Sequence, residues 1–350
     1  MHTLLALALA ASAAAEVPVL SAWEAESPLR PLPEAPLGVP ADFGTLPFAV
    51  TPEKVRLGRW LFFDARLSAD GTISCGSCHR PEHGFSEPTA HSRGIRGQEG
   101  GRKAPPILNA AFTIQHAYFW DGRAGSLAEQ AKGPIANPIE MGSSHPAVAA
   151  AVGAVPGYRK AFREAFGDDQ VGIDRIAEAI AAYEATRLSG NSRFDRFQAG
   201  DRTALSEEEQ RGREIFFGRG RCDRCHGGAG FTDSRFHAIG VGTPGHFTAR
   251  PGAAPDPGRQ AVTGAEADRG AFRTPTLRDV SRRAPYMHDG SAATLFEAVR
   301  AYQFQAEGVA LDPVMREIDI TCPDVDALVA FLGALDGTGF EDRPPRHFPQ

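Results

Sequence analysis

The chain has 350 residues, which is enough for two compact domains, and its 42% hydrophobic and 23% charged residues are typical of a globular protein. Its 37 Lys and Arg residues stand against 43 Asp and Glu residues, which gives a net charge of −6 at pH 7. The sequence has no run of basic residues that could follow a phosphate backbone, so we expect no nucleic-acid partner.

The first residues resemble a secretory signal. Residues 1–15 contain a short apolar stretch and end in Ala13-Ala14-Ala15, a small-residue cleavage site. The positive segment that usually precedes the apolar stretch is reduced to His2 and the terminal amine, so a surface helix is the alternative. No later stretch has the roughly 20 apolar residues of a membrane span. We therefore predict a cleaved signal peptide, a periplasmic location and no membrane span.

The segment after the signal is rich in proline. Residues 16–50 show no sustained helical or strand period, and we predict an extended arm. Thr51 and Pro52 then form the N-cap and first-turn pattern of a helix over VRLGRWLFF. The arm therefore leads into the first ordered segment.

Two further helices are indicated along the chain. Ile176, Ile180 and Tyr183 recur at the spacing of one buried helical face. Ser206 with Glu209 predicts a capping box before QRGREIFF. Alternating strand patterns are sparse, whereas Gly and Pro are frequent, so we predict a mainly α fold with long loops.

The pattern Cys-x-x-Cys-His occurs twice, as CGSCH and CDRCH. Two thiols at this spacing can both bond the vinyl groups of one haem, while the adjacent imidazole reaches the iron. A zinc site or a redox dithiol is the alternative, but zinc pairs rarely place His directly after the second Cys in both copies. We predict two covalently bound haem c groups. The attachment residues are Cys75, Cys78 and His79 in the first motif and Cys222, Cys225 and His226 in the second. The fifth cysteine, Cys322, is predicted to be a free structural thiol.

Three long segments surround these motifs: GRWLFFDARLSADGTISCGSCHRPEHGFS, FWDGRAGSLAEQAKGPIANPIEMG and RTPTLRDVSRRAPYMHDGSAATLFEAV. From about residue 50 to residue 338 the chain resembles the bacterial di-haem cytochrome c peroxidases and their MauG-like branch, which includes MauG and MbnH-like proteins. The resemblance implies two cytochrome c-like domains, each enclosing one haem. The first, residues 51–198, would hold the high-spin peroxidatic haem, and the second, residues 199–350, the low-spin electron-transfer haem.

The resemblance also assigns roles to individual residues. Trp120 corresponds to a tryptophan between the two haems, although a core tryptophan is the alternative. Gln130, Pro134 and Glu140 correspond to residues over the open face of the first haem, where a carboxylate can move a proton between peroxide oxygens. From the residues alone, Glu140 would be interpreted as a solvated loop carboxylate.

Typical peroxidases of the family place a removable histidine ligand in the loop after the first motif. Ile95 stands at that position here. Isoleucine cannot bind iron, so the resemblance implies a five-coordinate first haem, as in the MauG-like branch. His91 and His83 are nearby alternatives as ligands.

At the second haem, the peroxidases of the family use a Met fourteen residues after the His of the Tyr-x-His-Asp-Gly motif. Counting from His288, that position is Tyr302, as in MauG-like enzymes. A phenolate ligand stabilises oxidised iron better than a thioether does. Leu295, Val299 and Tyr302 share one face of a helix capped by Thr294 and Glu297, so the tyrosine points inwards, as a core tyrosine also would. Met287 is the alternative ligand.

The family also binds calcium between the haems through an Asn side chain. Lys103 stands at that position, and an ammonium group has no acceptor atom with which to bind a cation. Calcium is therefore doubtful: the ammonium group could replace the ion, or a neighbouring loop could supply other oxygens.

We predict a MauG-like or MbnH-like oxidoreductase that uses hydrogen peroxide, through a high-valent di-haem state, to oxidise aromatic residues, Trp above all, of a periplasmic partner protein. The alternative is a peroxidase that reduces hydrogen peroxide with electrons from a small cytochrome or copper protein. A third alternative is a non-enzymatic electron carrier.

Overall fold

The computed structural model describes residues 20–249, 254–304 and 306–350, so the predicted signal peptide lies outside the described residues. The α-helices are α1 (Ala22–Glu26), α2 (Pro52–Phe63), α3 (Cys75–Cys78), α4 (Leu127–Ala136), α5 (His145–Gly153), α6 (Pro156–Phe166), α7 (Ile173–Ala185), α8 (Arg193–Gln198), α9 (Glu207–Phe217), α10 (Gln260–Thr263), α11 (Leu295–Arg300) and α12 (Cys322–Gly333). The strands are β1 (Phe236–His237) and β2 (Phe272–Arg273), paired antiparallel. The prediction of a mainly helical chain with long irregular segments is confirmed. No helix within the described ranges is long and apolar enough to cross a membrane.

The helices that the sequence predicts are present. The Thr51 hydroxyl accepts the Lys54 amide at 3.3 Å, and this N-cap starts α2 at Pro52. The predicted stripe on α7 is fully buried. Ser206 and Glu209 form the expected reciprocal capping box at the start of α9.

The proline-rich arm differs from the expectation in one respect, because it contains the short helix α1. The Glu24 carboxylate accepts hydrogen bonds from the Ser21 amide at 3.1 Å and the Ser21 hydroxyl at 2.6 Å, and these bonds stabilise the first turn. Trp23 on this helix packs edge-on against Trp60 of α2, with ring centroids 5.0 Å apart. Burial of Trp23 therefore holds the arm against the body of the protein.

Two hydrophobic clusters form the core, and each is built around one pair of crossing helices. In the first, α2 packs on α7, and in the second, α9 packs on α12. A glycine stands at each crossing: a Cβ on Gly58 would lie 1.8 Å from the Ala179 carbonyl oxygen, and one on Gly212 would lie 1.9 Å from that of Ala327. The same close approach in both halves indicates a stronger internal duplication than the sequence alone suggests.

The end of the chain returns to the first cluster. Phe340 is buried within that cluster, and Phe348 packs against it. Asp342 accepts a hydrogen bond from the hydroxyl of Tyr183 at 2.8 Å and pairs with Arg59 at 2.9 Å. These contacts tie the C-terminal segment to α2 and α7.

Candidate functional site

The first motif lies on α3 and the turn that follows it. The Ser74 amide donates to the Ser77 hydroxyl at 3.0 Å at the start of this short helix. The ring centroids of His79 and Phe62 are 6.4 Å apart. The Nδ1 atom of His79 is 3.2 Å from the Phe85 carbonyl oxygen. A proton on Nδ1 directed at that carbonyl leaves Nε2 free to bind iron.

The second motif repeats this arrangement with different residues. His226 places Nδ1 3.2 Å from the carbonyl oxygen of Phe231. Phe85 and Phe231 both have a positive φ, of 52° and 50°, and both are almost fully buried. A non-glycine residue in this conformation is uncommon, so the matching turns indicate the same task in both halves, which is to orient the histidine.

The histidines and cysteines of both motifs are in the neutral form. Burial lowers the pKa of His226 to about 4 and also lowers the pKa of His79, so both imidazoles are neutral. Burial raises the pKa of Cys78 and of Cys222 to about 12. Among the described residues, no cluster of three or more His, Cys, Asp or Glu side chains could hold a metal ion. The motifs therefore fit covalent haem attachment.

The second motif opens into a cavity that is partly open to solvent. Cys222, Cys225 and His226 line this cavity, and so does Tyr302. The remaining wall is mostly apolar and includes Phe216, Ile239, Val241, Phe272, Leu277, Val280, Leu295, Val299, Ile318, Ile320, Leu328 and Leu332. An apolar cavity with a few convergent polar groups matches what a macrocyclic cofactor needs.

Tyr302 faces the cavity, as the sequence predicts, although α11 ends at Arg300 and the tyrosine lies on the 3₁₀ turn Ala301–Gln303 that follows it. Thr294 caps α11, and Leu295, Val299 and Tyr302 all line the cavity. Burial and the nearby cysteine sulfurs raise the pKa of Tyr302, and its hydroxyl has no hydrogen-bond partner among the described residues. An unpartnered phenol facing the cavity fits a ligand role. Its coordination of iron stays a prediction.

Methionines also line this cavity. Met287, the alternative ligand in the sequence, has a strained φ of 73° and borders the same space. Met315, which sequence reasoning did not single out, borders it as well and is buried. Its position emerges only from the fold, because it reaches the cavity from a short 3₁₀ turn, Pro313–Arg316.

Two histidines near the second motif have other partners. His237 lines the cavity, but Nδ1 is 2.6 Å from the Asp312 carboxylate and Nε2 is 2.9 Å from the Asp233 carboxylate. Asp233, Cys225 and Asp312 raise the pKa of His237 to about 11. Both ring nitrogens donate to carboxylates, so neither is available to bind iron. His246 is buried with Nε2 3.1 Å from the carbonyl oxygen of Ala301, next to Tyr302, and it stabilises that turn.

Trp120 lines the same cavity and connects it to the first half of the chain. Its indole N–H donates to the Lys103 carbonyl oxygen at 2.8 Å. The indole is 6.4 Å from the His288 ring, which stacks on Phe272 at 3.6 Å, both measured between ring centroids. Sequence reasoning missed His288 and Phe272 as members of this aromatic group, because their contact with Trp120 depends on the tertiary fold.

The three other predicted catalytic residues are grouped at α4 and the turn after it. Gln130 and Pro134 lie one helical turn apart, and Pro134 has no N–H to donate to the Gln130 carbonyl oxygen. The Glu140 carboxylate accepts a hydrogen bond from the Asn137 side chain at 2.8 Å. Burial raises the pKa of Glu140 despite the opposing charge of Arg123, which favours a carboxyl that can hold a proton.

The structure brings Ile95 to this group. Its amide donates to the carbonyl oxygen of Glu140 at 2.8 Å, and its side chain is buried. A Cβ on Gly142 would lie 2.1 Å from the end of the Ile95 side chain, so the two segments pack closely. Isoleucine therefore occupies the position beside Glu140. His91 and His83 are half-buried, and their role as ligands stays a prediction.

Two charged residues near the first motif were not identified from the sequence. Arg123 lies over the ring of Phe119 at 3.6 Å and pairs with Asp121 at 2.9 Å. Burial raises the pKa of Glu184 on α7 to about 8, so it is protonated at neutral pH, and its buried Oε2 lacks a partner among the described residues. Neither position has a signal in the sequence beyond its residue type.

Comparisons with known proteins agree with this geometry. A family model for di-haem cytochrome c peroxidase matches residues 52–203. The chain is 42% identical over 304 residues to cytochrome c551 peroxidase of Nitrosomonas europaea, covering 86% of this chain and 85% of that protein. It is 39% identical over 289 residues to methylamine utilization protein MauG of Methylorubrum extorquens, covering 82% and 79%. Its fold matches a MauG-like protein associated with microbial copper homeostasis with a TM-score of 0.76 and 31% identity, over 92% and 98% of the two chains.

Proposed function

Because this chain belongs to the di-haem cytochrome c peroxidase family and is an enzyme that acts on peroxide, we propose that it uses hydrogen peroxide to oxidise an aromatic residue, Trp above all, of a partner protein. The observation that carries this proposal is that Tyr302 lines the same cavity as His226 and that its hydroxyl has no hydrogen-bond partner among the described residues. A phenolate ligand favours oxidised iron, and a protein-oxidising enzyme must store oxidising equivalents until its partner docks.

Family membership implies two haem c groups, and the residues of both motifs fit them. When bound, the haems supply the iron that reacts with peroxide and holds the oxidising equivalents. Cys75, Cys78 and His79 would hold the first haem, and Cys222, Cys225, His226 and Tyr302 the second. Trp120 would provide the path between them, because an indole can pass an electron between two porphyrins and this indole lines the second cavity.

The residues near the first haem would handle the proton. Burial raises the pKa of Glu140, which makes its carboxyl easier to protonate and suits it to general acid–base catalysis. The Asn137 amide orients that carboxyl, while Gln130 and Pro134 shape the space next to it. Ile95, beside Glu140, has no atom that could bind iron, so it would leave room for peroxide.

A conventional peroxidase that takes electrons from a small cytochrome or copper protein is the second candidate. The 42% identity to a cytochrome c551 peroxidase favours it, and so do Met287 and Met315, since either thioether borders the second cavity. A periplasmic location belongs to both proposals and rests on the apolar start of the sequence.

Purified ferric holoprotein tests the proposal. We expect one high-spin and one low-spin haem at rest, and two low-spin haems would contradict an open first site. After peroxide addition, mass spectrometry of a candidate partner encoded nearby should detect an oxidised aromatic residue. Peroxide-dependent oxidation of a reduced small cytochrome, with no modified aromatic residue in the partner, would instead identify the conventional peroxidase.

A further inference from the structure

Lys103 is a buried lysine at the junction of the two haem sites. Its side chain is 5% exposed and borders the second cavity together with Trp120. Its charge also acts on His79 of the first motif. Burial and the ammonium group of Lys103 both lower the pKa of His79. A buried ammonium group is costly unless it is paired, so its presence here needs a reason.

The ammonium group is held by main-chain oxygens. Nζ donates a short hydrogen bond to the carbonyl oxygen of Glu87 and lies 3.4 Å from that of Thr89. Carbonyl oxygens are also the groups that bind a hard divalent cation. Because the ammonium group occupies these acceptors and has no lone pair to offer, the residues present do not fit a calcium ion at this place.

The negative charge that acts on this ammonium group comes from Glu87. The Glu87 carboxylate is buried and accepts hydrogen bonds from the Ser92 hydroxyl at 2.6 Å and the Ala104 amide at 2.5 Å. Burial lowers the pKa of Lys103 to about 8; the Glu87 carboxylate opposes this shift, and the charge of Arg283 adds to it. The group is therefore mostly charged at pH 7. A divalent cation added beside it would leave two positive charges without compensation.

The backbone of Lys103 connects this cation to the aromatic group. Its amide donates to the His288 carbonyl oxygen at 2.8 Å, and its carbonyl accepts the Trp120 indole N–H at 2.8 Å. Both Trp120 and His288 therefore depend on where residue 103 is held. Removing the ammonium group would release the 87–89 segment from the segment that positions the indole.

We propose that the ammonium group of Lys103 is a built-in replacement for the divalent cation between the haems, and that it positions Trp120 without calcium. Lys103 is a positioning residue in this account, since it acts on the indole through its own backbone. The proposal concerns cation binding, so it can fail or hold independently of whether the partner of the enzyme is a protein substrate or a reduced cytochrome.

The test compares the wild-type holoprotein with Lys103→Met, Lys103→Asn and the exposed control Lys160→Met. For the wild type and the control, elemental analysis after dialysis against calcium should find no bound calcium, and a chelator should leave the Tm unchanged. Lys103→Met should lower the Tm by roughly 5 °C or more, because the carbonyl oxygens of Glu87 and Thr89 lose their donor and the buried Glu87 carboxylate loses a nearby positive charge. Calcium should not restore the Tm.

Lys103→Asn supplies a side-chain oxygen and removes the competing charge. We expect this variant to bind one calcium ion and to recover its Tm when calcium is added. In Lys103→Met, and in Lys103→Asn before calcium is added, the fluorescence or resonance Raman signature of Trp120 should differ from that of the wild type. One calcium ion in the wild type, a Tm of Lys103→Met equal to that of the wild type, or a Lys103→Asn variant that ignores calcium would each overturn the proposal.

Discussion

The buried ion pair between Arg278 and Asp195 anchors the second haem site, and its removal should be costly. The two side chains are 1% and 2% exposed and form two parallel hydrogen bonds, both 2.9 Å long. Arg278 also donates to the Ala229 carbonyl oxygen at 2.7 Å, in the loop that leads to Phe231, the residue that orients His226. The pair therefore connects α8 to the turn that orients His226.

Arg278→Met removes the cation and leaves a buried carboxylate. Breaking one partner of a buried pair costs about 3–5 kcal/mol, so the free energy of unfolding should fall by that amount. Urea titration of the holoprotein, followed by far-UV circular dichroism, measures the change. Arg269→Met is the control: this side chain is 49% exposed and pairs with the exposed Glu266, so its loss should cost less than about 1 kcal/mol.

The pH dependence gives this prediction a second readout. Burial raises the pKa of Asp195, but the hydrogen bonds and charge of Arg278, with help from Ser192, outweigh burial and lower it. The pair therefore contributes fully to the free energy of unfolding above about pH 3.9, the pKa of Asp in the unfolded chain, and this contribution is lost as the pH falls further. In Arg278→Met burial dominates, and protonation of Asp195 relieves the cost as the pH falls. The gap between variant and wild type should narrow from pH 7 to pH 4. A constant gap, or a loss below about 1 kcal/mol at pH 7, would refute the reasoning.

Two predictions concern the chemistry directly. Glu140→Gln keeps the shape of the side chain but cannot carry the proton, so its reaction with peroxide, followed by stopped-flow absorbance, should be about 10²–10⁴-fold slower. The exposed control Glu82→Gln should react at the wild-type rate. An unchanged rate in Glu140→Gln would remove Glu140 from the mechanism. Trp120→Phe keeps an aromatic ring but loses the hydrogen bond to Lys103, so the peroxide-induced change at the second haem should slow while the reaction at the first haem persists. Trp23→Phe is the control. If the change at the second haem is as fast in Trp120→Phe as in Trp23→Phe, Trp120 is not the path between the haems.

Local patterns predicted much of the structure. The caps at Thr51, Ser206 and Thr294 involve residues three positions apart, and all three form as expected. The buried stripe on α7 follows from the helical period alone. The inward face that carries Tyr302 follows from the same period.

Features that depend on contacts between distant segments were not predictable. Helix α1 was missed because its stability comes from Trp23 packing on α2, far along the chain. The place of Met315 in the second cavity was missed for the same reason. The sequence left two alternatives open at Lys103, and only the carbonyl oxygens around its ammonium group support replacement of the ion.

The two halves also share a device that the motifs do not reveal. The carbonyl oxygens of Phe85 and Phe231 each accept from a histidine Nδ1, from turns of different length. A carbonyl orientation is a backbone property, so the residue type carries no signal for it. In the proposed function the two halves differ in the residues that would face each haem, which are Ile95 and Glu140 in one half and Tyr302 in the other.

The most direct test of the proposed function is the variant Tyr302→Met, compared with Tyr286→Phe, a second tyrosine that lines the same cavity. Redox titration and the spectrum after peroxide addition are measured on both holoproteins. We predict that Tyr302→Met raises the reduction potential of the second haem and abolishes the long-lived peroxide-induced spectrum, whereas Tyr286→Phe leaves both unchanged. An unaltered potential and spectrum in Tyr302→Met would contradict Tyr302 as the ligand and, with it, storage of oxidising equivalents for a partner protein.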